Sequence, residues 1–162
     1  MISHQELLEV MDYDPITGIF IWKKCRKPQL NGKPVGYSCR KGYLLTEVAN
    51  QKYFLHKLAW YYVTGSYPTG IIDHIDTDKT NNKINNLREA TINQNVWNMS
   101  ISRRNTSGVK GISYDPQRKK WRATLMVDRK EVLHKRFDLL SDAEDAIREA
   151  REKFHGEYAR HK

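Results

Sequence analysis

Apolar positions along this chain change spacing several times, and each change marks an element. Leu7, Leu8 and Met11 recur at helical intervals and predict a helix over 4–11. The segment DYDPITG at 12–18 reads as a turn, and the apolar run 19–22 after it as a short strand. Residues 23–36 are polar, basic and rich in Gly and Pro, which is loop composition. GYLLTEV (42–48) and KYFLHKL (52–58) predict two strands around a tight turn at 49–51. The second passes into a helix over 56–64 with Leu58, Ala59, Tyr62 and Val63 as its apolar stripe, and TGSYPTG at 64–70 ends it.

Two apolar patches, Ile71-Ile72 and Leu87, then flank a loop made almost wholly of Asp, Asn, Thr and Lys. A helix follows, with Thr91 as N-cap and Gln94 completing a capping box. That places Asn95 early in the helix, with Trp97 and Met99 nearby for packing. Residues 100–108 are polar and rich in breakers, the best domain boundary in the chain. Beyond it come strands at 111–115, 120–127 and 131–137, then an amphipathic helix over 141–156. Ser141 and Glu144 form a second capping box, and Ala143, Ala146, Ile147, Ala150 and Phe154 line one face. A three-stranded antiparallel sheet with one helix across its back is the economical result. Alternation on the middle strand separates Trp121, Ala123, Leu125 and Val127 from Arg122, Thr124 and Met126. The third strand does not alternate cleanly, so its faces stay unassigned.

Charge sharpens this picture. The 162 residues carry a formal net charge of +9, and residues 103–136 hold 11 of the 28 basic side chains against 3 acidic ones. A block of that kind suits a polyanion. The last helix is acidic, so the basic face is the open side of the sheet. No run approaches the ~20 apolar residues that span a bilayer, and the first residues lack the basic start and apolar core of a secretory signal. Cys25 and Cys39 are too few for a four-ligand zinc site, and reduced intracellular thiols are the simpler assumption.

The polar loop carries the candidate chemistry. Asp73 and Asn95 offer one carboxylate and one amide oxygen to a hard divalent ion, magnesium or manganese, leaving positions for water and a phosphate. An imidazole that titrates near neutrality, His74, suits the acceptance of a proton from an attacking water. Asn86 suits the restraint of His74 or of the backbone that carries it. The same residues also suit a loop that only makes turns around a half-buried histidine, and composition does not choose between the two.

The stretch DHIDTDKTNNKINNLREATINQNVWN, with LHKLAWYYVTG upstream, resembles the HNH nucleases of phages and mobile elements, the homing enzymes among them. The similarity covers about residues 12–98. The signature falls on His74, Asn86 and Asn95, spaced by 12 and 9 residues. The resemblance implies two strands and a helix around one metal ion, His74 as general base, Asp73 and Asn95 as ligands, and Asn86 as the brace. Asn95 stands where many members have His, which disfavours zinc, and the paired Cys-x-x-Cys knuckles of many members are absent. His56, Lys57 and Arg88 are candidate site or phosphate contacts; core packing and helix capping compete for His56.

The block from about 105 to 159 resembles the plant ethylene-response-factor (AP2-type) DNA-binding domain, carried by SGVKGISYD, KWRATL and FHGEYA. That family lays its sheet in the major groove. Arg118, Lys119 and Lys120 are expected on phosphates, Arg122 and Thr124 on the DNA side, and Trp121 at either the core or the DNA. The expectation is an α+β chain with an HNH nuclease domain at 1–100, a linker at 101–108 and an AP2-like domain at 109–162. It acts on double-stranded DNA in the cytoplasm of a bacterial or phage-infected cell, as a monomer or weak dimer, nicking one strand per active site. The alternative is a DNA-binding regulatory or accessory protein whose HNH fold is catalytically silent.

Overall fold

The computed structural model of the protein describes residues 1–99, 101–102 and 105–158. Arg103 and Arg104 of the expected linker, and 159–162 of the expected C-terminal domain, lie outside the described residues. Packing divides the chain into two compact units, Met1–Thr91 and Ile92–Lys162. The fold is mixed α+β.

In the first unit α1 (His4–Val10) begins at Ser3, whose side chain accepts from the Glu6 amide while the Glu6 carboxylate accepts from the Ser3 amide. The helix stops one residue short of the expected Met11. Met11 is instead the first residue of β1 (Met11–Asp14), which pairs antiparallel with β2 (Ile19–Trp22), Met11 opposite Trp22. Burial of the methionine against the core decides the boundary, because a strand there buries both Met11 and Tyr13.

A three-stranded sheet follows, β3 (Tyr37–Ser38), β4 (Leu44–Val48) and β5 (Gln51–Phe54), in that order. Ala49 and Asn50 join β4 to β5 with φ of 49° and 61°, the left-handed pair whose twist matches a two-residue hairpin. β5 runs straight into α2 (Leu55–Thr64), and Gly65 at φ 70° ends the helix. The buried face of α2 is Leu55, His56, Leu58 and Ala59, while Val63, expected in the stripe, is half exposed. Phe20, Leu7, Met11, Leu55 and Leu58 are almost wholly buried and form one core, with Phe20 packed against the rings of Tyr13 and Tyr62. The strands β6 (Ile71–His74) and β7 (Leu87–Ala90) pair antiparallel, Asp73 opposite Arg88 and His74 opposite Leu87.

The second unit opens with α3 (Ile92–Asn98). In chain order β6, a single 3-10 turn at Ile84–Asn86, β7 and α3 make the ββα pattern. Then β8 (Ile112–Asp115), β9 (Lys120–Val127) and β10 (Lys130–Phe137) form a sheet with β9 central, covered by α4 (Leu140–His155). Asp128 and Arg129, at φ 48° and 65°, repeat the left-handed hairpin device between β9 and β10. A register shift between Glu131 and Leu133 explains the third strand's broken alternation, since a bulge flips the parity of everything before it.

The last helix begins at Leu140, with Leu139 rather than Ser141 at the cap, because Leu140 packs onto the sheet's core. Its buried stripe is Ala143, Ile147, Arg151 and His155, while Phe154 is 40% exposed. Arg151 donates to the Lys110 carbonyl, and His155 stacks on Trp97 with centroids 4.2 Å apart. Ala143, Ile147 and Ala150 pack as expected, and these two contacts add Arg151 and His155 to the buried stripe in place of Phe154. Trp97 packs as expected; Met99 is 56% exposed.

Truncating Phe20 to alanine should destabilise the first unit by about 3–5 kcal/mol, the cost of emptying a buried aromatic site. The lowered urea midpoint, followed by circular dichroism, checks it.

Candidate active site and nucleic-acid interface

The end of β6 presents two polar side chains in succession, Asp73 and His74, both buried at 5% and 4% exposure. Neither is left to the hydrocarbon. Opposite Asp73 on β7, Arg88 sends Nε and a terminal guanidinium nitrogen to the same Oδ2, both at 3.1 Å. Cross-strand partners share a face of the sheet, so this charge-assisted pair follows from register. Arg88, a candidate phosphate contact by sequence, is thus engaged with Asp73.

His74 points its Nε2 at the amide oxygen of Asn82, 3.2 Å away. Its ring also meets His56 edge-on at 5.0 Å between centroids and Tyr43 at 6.0 Å. Burial lowers the His74 pKa, partly opposed by the Asn82 hydrogen bond and by the charges of Asp76, Asp73 and Asp78. The ring is therefore in its neutral, proton-accepting form near pH 7.

The loop 75–83 is held by side chains rather than by a ladder. Asn86 donates to Asp76 Oδ1 at 3.0 Å and to the Asn81 carbonyl at 2.9 Å, and its Oδ1 accepts from the Asp76 amide at 3.1 Å. Its backbone carbonyl takes the Ile75 amide. Of the two restraints expected of Asn86, these contacts reach the backbone after His74 and not the ring. Asp76 and Asp78, both exposed, tie the loop to itself: Asp76 accepts from the Asp78 amide and from Asn81, and Asp78 from Thr80. Burial pushes the Asp76 carboxyl up, but its hydrogen bonds from Asn81, Asn86 and Asp78 outweigh that and hold it low.

Behind His74 lies His56, 5% exposed, on the first turn of α2. Burial, reinforced by His74 and Lys57, depresses its pKa to about 3, so it is neutral. Its Nδ1 has no hydrogen-bond partner among the described residues. Lys57 follows it, half-buried.

Asn95 is carried by α3, in the second unit, and so lies outside this first-unit geometry. Asn82, at 1% exposure, is the residue the sequence did not single out. Composition hid it, because it sits in a run of Asn residues where most make turns.

Asp73 offers one carboxylate, whose Oδ2 already accepts from Arg88. Among the described residues no three His, Cys, Asp or Glu side chains gather around one point, which is the arrangement a closed zinc centre needs. A hard ion sharing a carboxylate and an amide oxygen with several waters asks for less.

The second unit's sheet has one face on α4 and one in solvent. Ala123 and Leu125 are buried under the helix, and Trp121, on the same parity, packs beside them with its ring 5.0 Å from Tyr114. Arg122 is exposed on the other face, opposite Ser113 on β8 and Arg136 on β10, and donates to Ser113 Oγ. Thr124 lies opposite His134 on the same face. In the β8–β9 turn Arg118 pairs with Asp115, Lys119 adopts φ 53°, and Lys120 reaches Asp138.

Residues 53–97 match a family model described as HNH endonuclease, and they span β5 through most of α3. "Protein 3.8" of Escherichia phage T7 is 39% identical over 106 residues, covering 65% of this chain and 87% of that protein. The chain belongs to the HNH endonuclease family. A second relative, the "SPbeta prophage-derived putative HNH homing endonuclease YosQ" of Bacillus subtilis (strain 168), is 36% identical over 82 residues, 49% of this chain and 47% of its own length. No solved structure matches significantly. This HNH chain is accordingly a nuclease-type enzyme, and among its described residues no helix is long and apolar enough to cross a membrane.

Acid should weaken the first unit through His56. Its pKa of about 3 in the folded state lies below the ordinary 6.5, so the unfolded chain binds the extra proton between those values. Stability should be complete above about pH 6.5 and fall as pH drops toward 3, at a limiting slope of roughly 1.4 kcal/mol per pH unit. Urea midpoints across that range should show the loss, and His56→Gln should flatten it.

Proposed function

We propose that this protein is a site-specific DNA endonuclease using one magnesium or manganese ion, with His74 as its general base. The observation that carries the reading is a buried, neutral imidazole next in sequence to a buried carboxylate, on a strand end whose following loop is tied down by Asn86. Asp73 would hold the ion, with Asn95 as the second ligand that the HNH resemblance implies, and the ion when bound would supply charge stabilisation at the scissile phosphate. His74 takes a proton from a water, and the water oxygen bonds to phosphorus. The bond from phosphorus to the 3′ oxygen breaks, and that oxygen gains a proton from solvent, leaving a 3′ hydroxyl and a 5′ phosphate. Asn86 keeps the loop from drifting, and His56 closes the site behind His74. Lys57 lies beside His56 for a flanking phosphate. One site cuts one strand, so a monomer nicks.

The C-terminal sheet is the recognition surface, in the manner of the AP2-type domain it resembles. Its solvent face places Arg122, Thr124 and Arg136 side by side, and guanidinium groups engage guanine through two hydrogen bonds. Arg118, Lys119 and Lys120 sit at the rim, where phosphate contacts fix register without reading sequence. Trp121 supports the sheet from the helix side.

Supercoiled plasmid and phage genomic DNA should be nicked with magnesium or manganese and left intact with chelator. His74→Ala should slow nicking by about 10²–10⁴-fold, the usual contribution of a general base. DNA bound but uncut by the native protein on both substrates in both metals would favour the accessory-protein reading.

Arg122→Ala should cost about 1–3 kcal/mol at the preferred site and relax its specificity. Lys119→Ala should instead weaken binding evenly across sequences and reduce the salt slope by about one. Fluorescence anisotropy at several salt concentrations separates the two.

A further inference from the structure

The hydrogen bond that orients His74 is itself held by an element outside the matched HNH segment. Asn82 Oδ1 lies 3.2 Å from His74 Nε2, and both residues are buried. An amide oxygen only accepts, so Nε2 carries the hydrogen and Nδ1 is left with the lone pair. What keeps Asn82 in place is the β1–β2 hairpin. The Tyr13 hydroxyl, on β1, donates to the Asn82 carbonyl at 2.7 Å. The Ile84 amide donates to the Pro15 carbonyl at 3.2 Å, in the turn between the strands. Gly18 in that turn, at φ 75°, presses flat against the 82–83 peptide, where an added Cβ would stand 2.5 Å from Lys83 N and 2.7 Å from the Asn82 carbonyl carbon. No other residue type fits there without moving backbone.

The far end of this chain of contacts is the core. Tyr13 is 7% exposed, and its ring packs on Phe20 at 4.5 Å and on Tyr62 at 5.6 Å, so the hydroxyl has a fixed position. Burial pushes that hydroxyl up to about 12, which keeps it a donor. Asn82 Nδ2, by contrast, is buried with no partner among the described residues, so Asn82 is anchored by its backbone and its oxygen alone.

We propose that the N-terminal hairpin, through Tyr13, Pro15 and Gly18, is a positioning element that locks Asn82, and that Asn82 fixes His74 as the Nε2–H tautomer with Nδ1 as the proton acceptor. The proposal rests on His74 being the general base. It makes Asn82, Tyr13 and Gly18 positioning residues, since none touches the substrate in this role.

The test reads the tautomer directly in the metal-free, full-length protein. Two-bond proton–nitrogen correlation of histidine-labelled protein, with His74→Ala assigning the signal, should show His74 wholly as Nε2–H. Asn82→Asp keeps the acceptor oxygen and should retain that tautomer. Asn82→Leu should give a mixture, as should Tyr13→Phe to a lesser degree. In nicking assays Asn82→Leu should lower kcat by about 10–100-fold, the range for a residue that orients a catalytic ligand, with KM within about twofold. An Nδ1–H signal in the native protein overturns the proposal without any variant, as does an unchanged tautomer in Asn82→Leu. A single Nε2–H tautomer and unchanged nicking in Tyr13→Phe remove the hairpin from it. Failure of the nuclease reading looks different: the native protein leaves DNA uncut while the spectrum still reports the Asn82 contact.

Discussion

The side-chain amide of Asn86 ties together three points of the loop between β6 and β7, and the geometry around His74 depends on that knot. It donates to Asp76 and to the Asn81 carbonyl and accepts from the Asp76 amide. A twelve-residue connection costs entropy to close, and its backbone has no strand partner of its own over 75–83. Each bond contributes about 1 kcal/mol net, but leaving such groups buried and unpaired costs about 1–3 kcal/mol apiece. The loop is therefore strongly committed to one shape. Asp76, Asp78, Asn81 and Thr80 add turns that cap one another, and Thr77 accepts a left-handed backbone at φ 67° to close the bend after His74. Because this shape is set, Asn82 arrives at His74 at hydrogen-bond distance.

Electrostatics within the first unit follow the same economy. Asp73 meets its charge partner Arg88 across the β6–β7 pair, so register brings a buried carboxylate its compensation. His74 and His56 take the opposite course, with burial disfavouring the protonated form of each. One strand end thus sets a carboxylate paired with Arg88 beside an imidazole whose protonated form burial disfavours.

The second unit answers a different constraint, the covering of a single sheet by a single helix. Ala123, Leu125, Ile112, Ala143 and Ile147 supply a small core. Polar groups extend it: Arg151 donates to the Lys110 carbonyl, and the Lys110 ammonium donates to the carbonyls of Val96, Trp97 and Met99 at 3.0 Å each. A cation on those carbonyls suits the negative end of a helix dipole, and it holds the seven-residue α3 in the second unit. On the opposite face of the sheet Arg122 and Arg136 sit across from each other on neighbouring strands.

Much of this was legible in the residues alone. Hydrophobic spacing placed the helices and most strands, though not β1, read as part of a turn, or the two-residue β3, because burial imposes a period on whichever side chains face a core. The spacing of His74, Asn86 and Asn95, with Asp73 beside the first, pointed to the family that the comparisons support. Boundaries shifted where a single side chain had a better use in the tertiary structure: Met11 left the helix for a strand, and Leu140 displaced Ser141 from the start of α4. Arg151 and His155 replaced Phe154 on the buried face, since a hydrogen bond and a ring stack outside the helix decided its rotation. The role of Asn82 was invisible in a run of asparagines that are alike in composition. Sequence determined which chemical groups are present and their order; the tertiary structure, through the Asn86 knot and the packing of a distant hairpin against residues 82–84, decided which amide meets His74, because the hairpin contacts join residues some seventy positions apart.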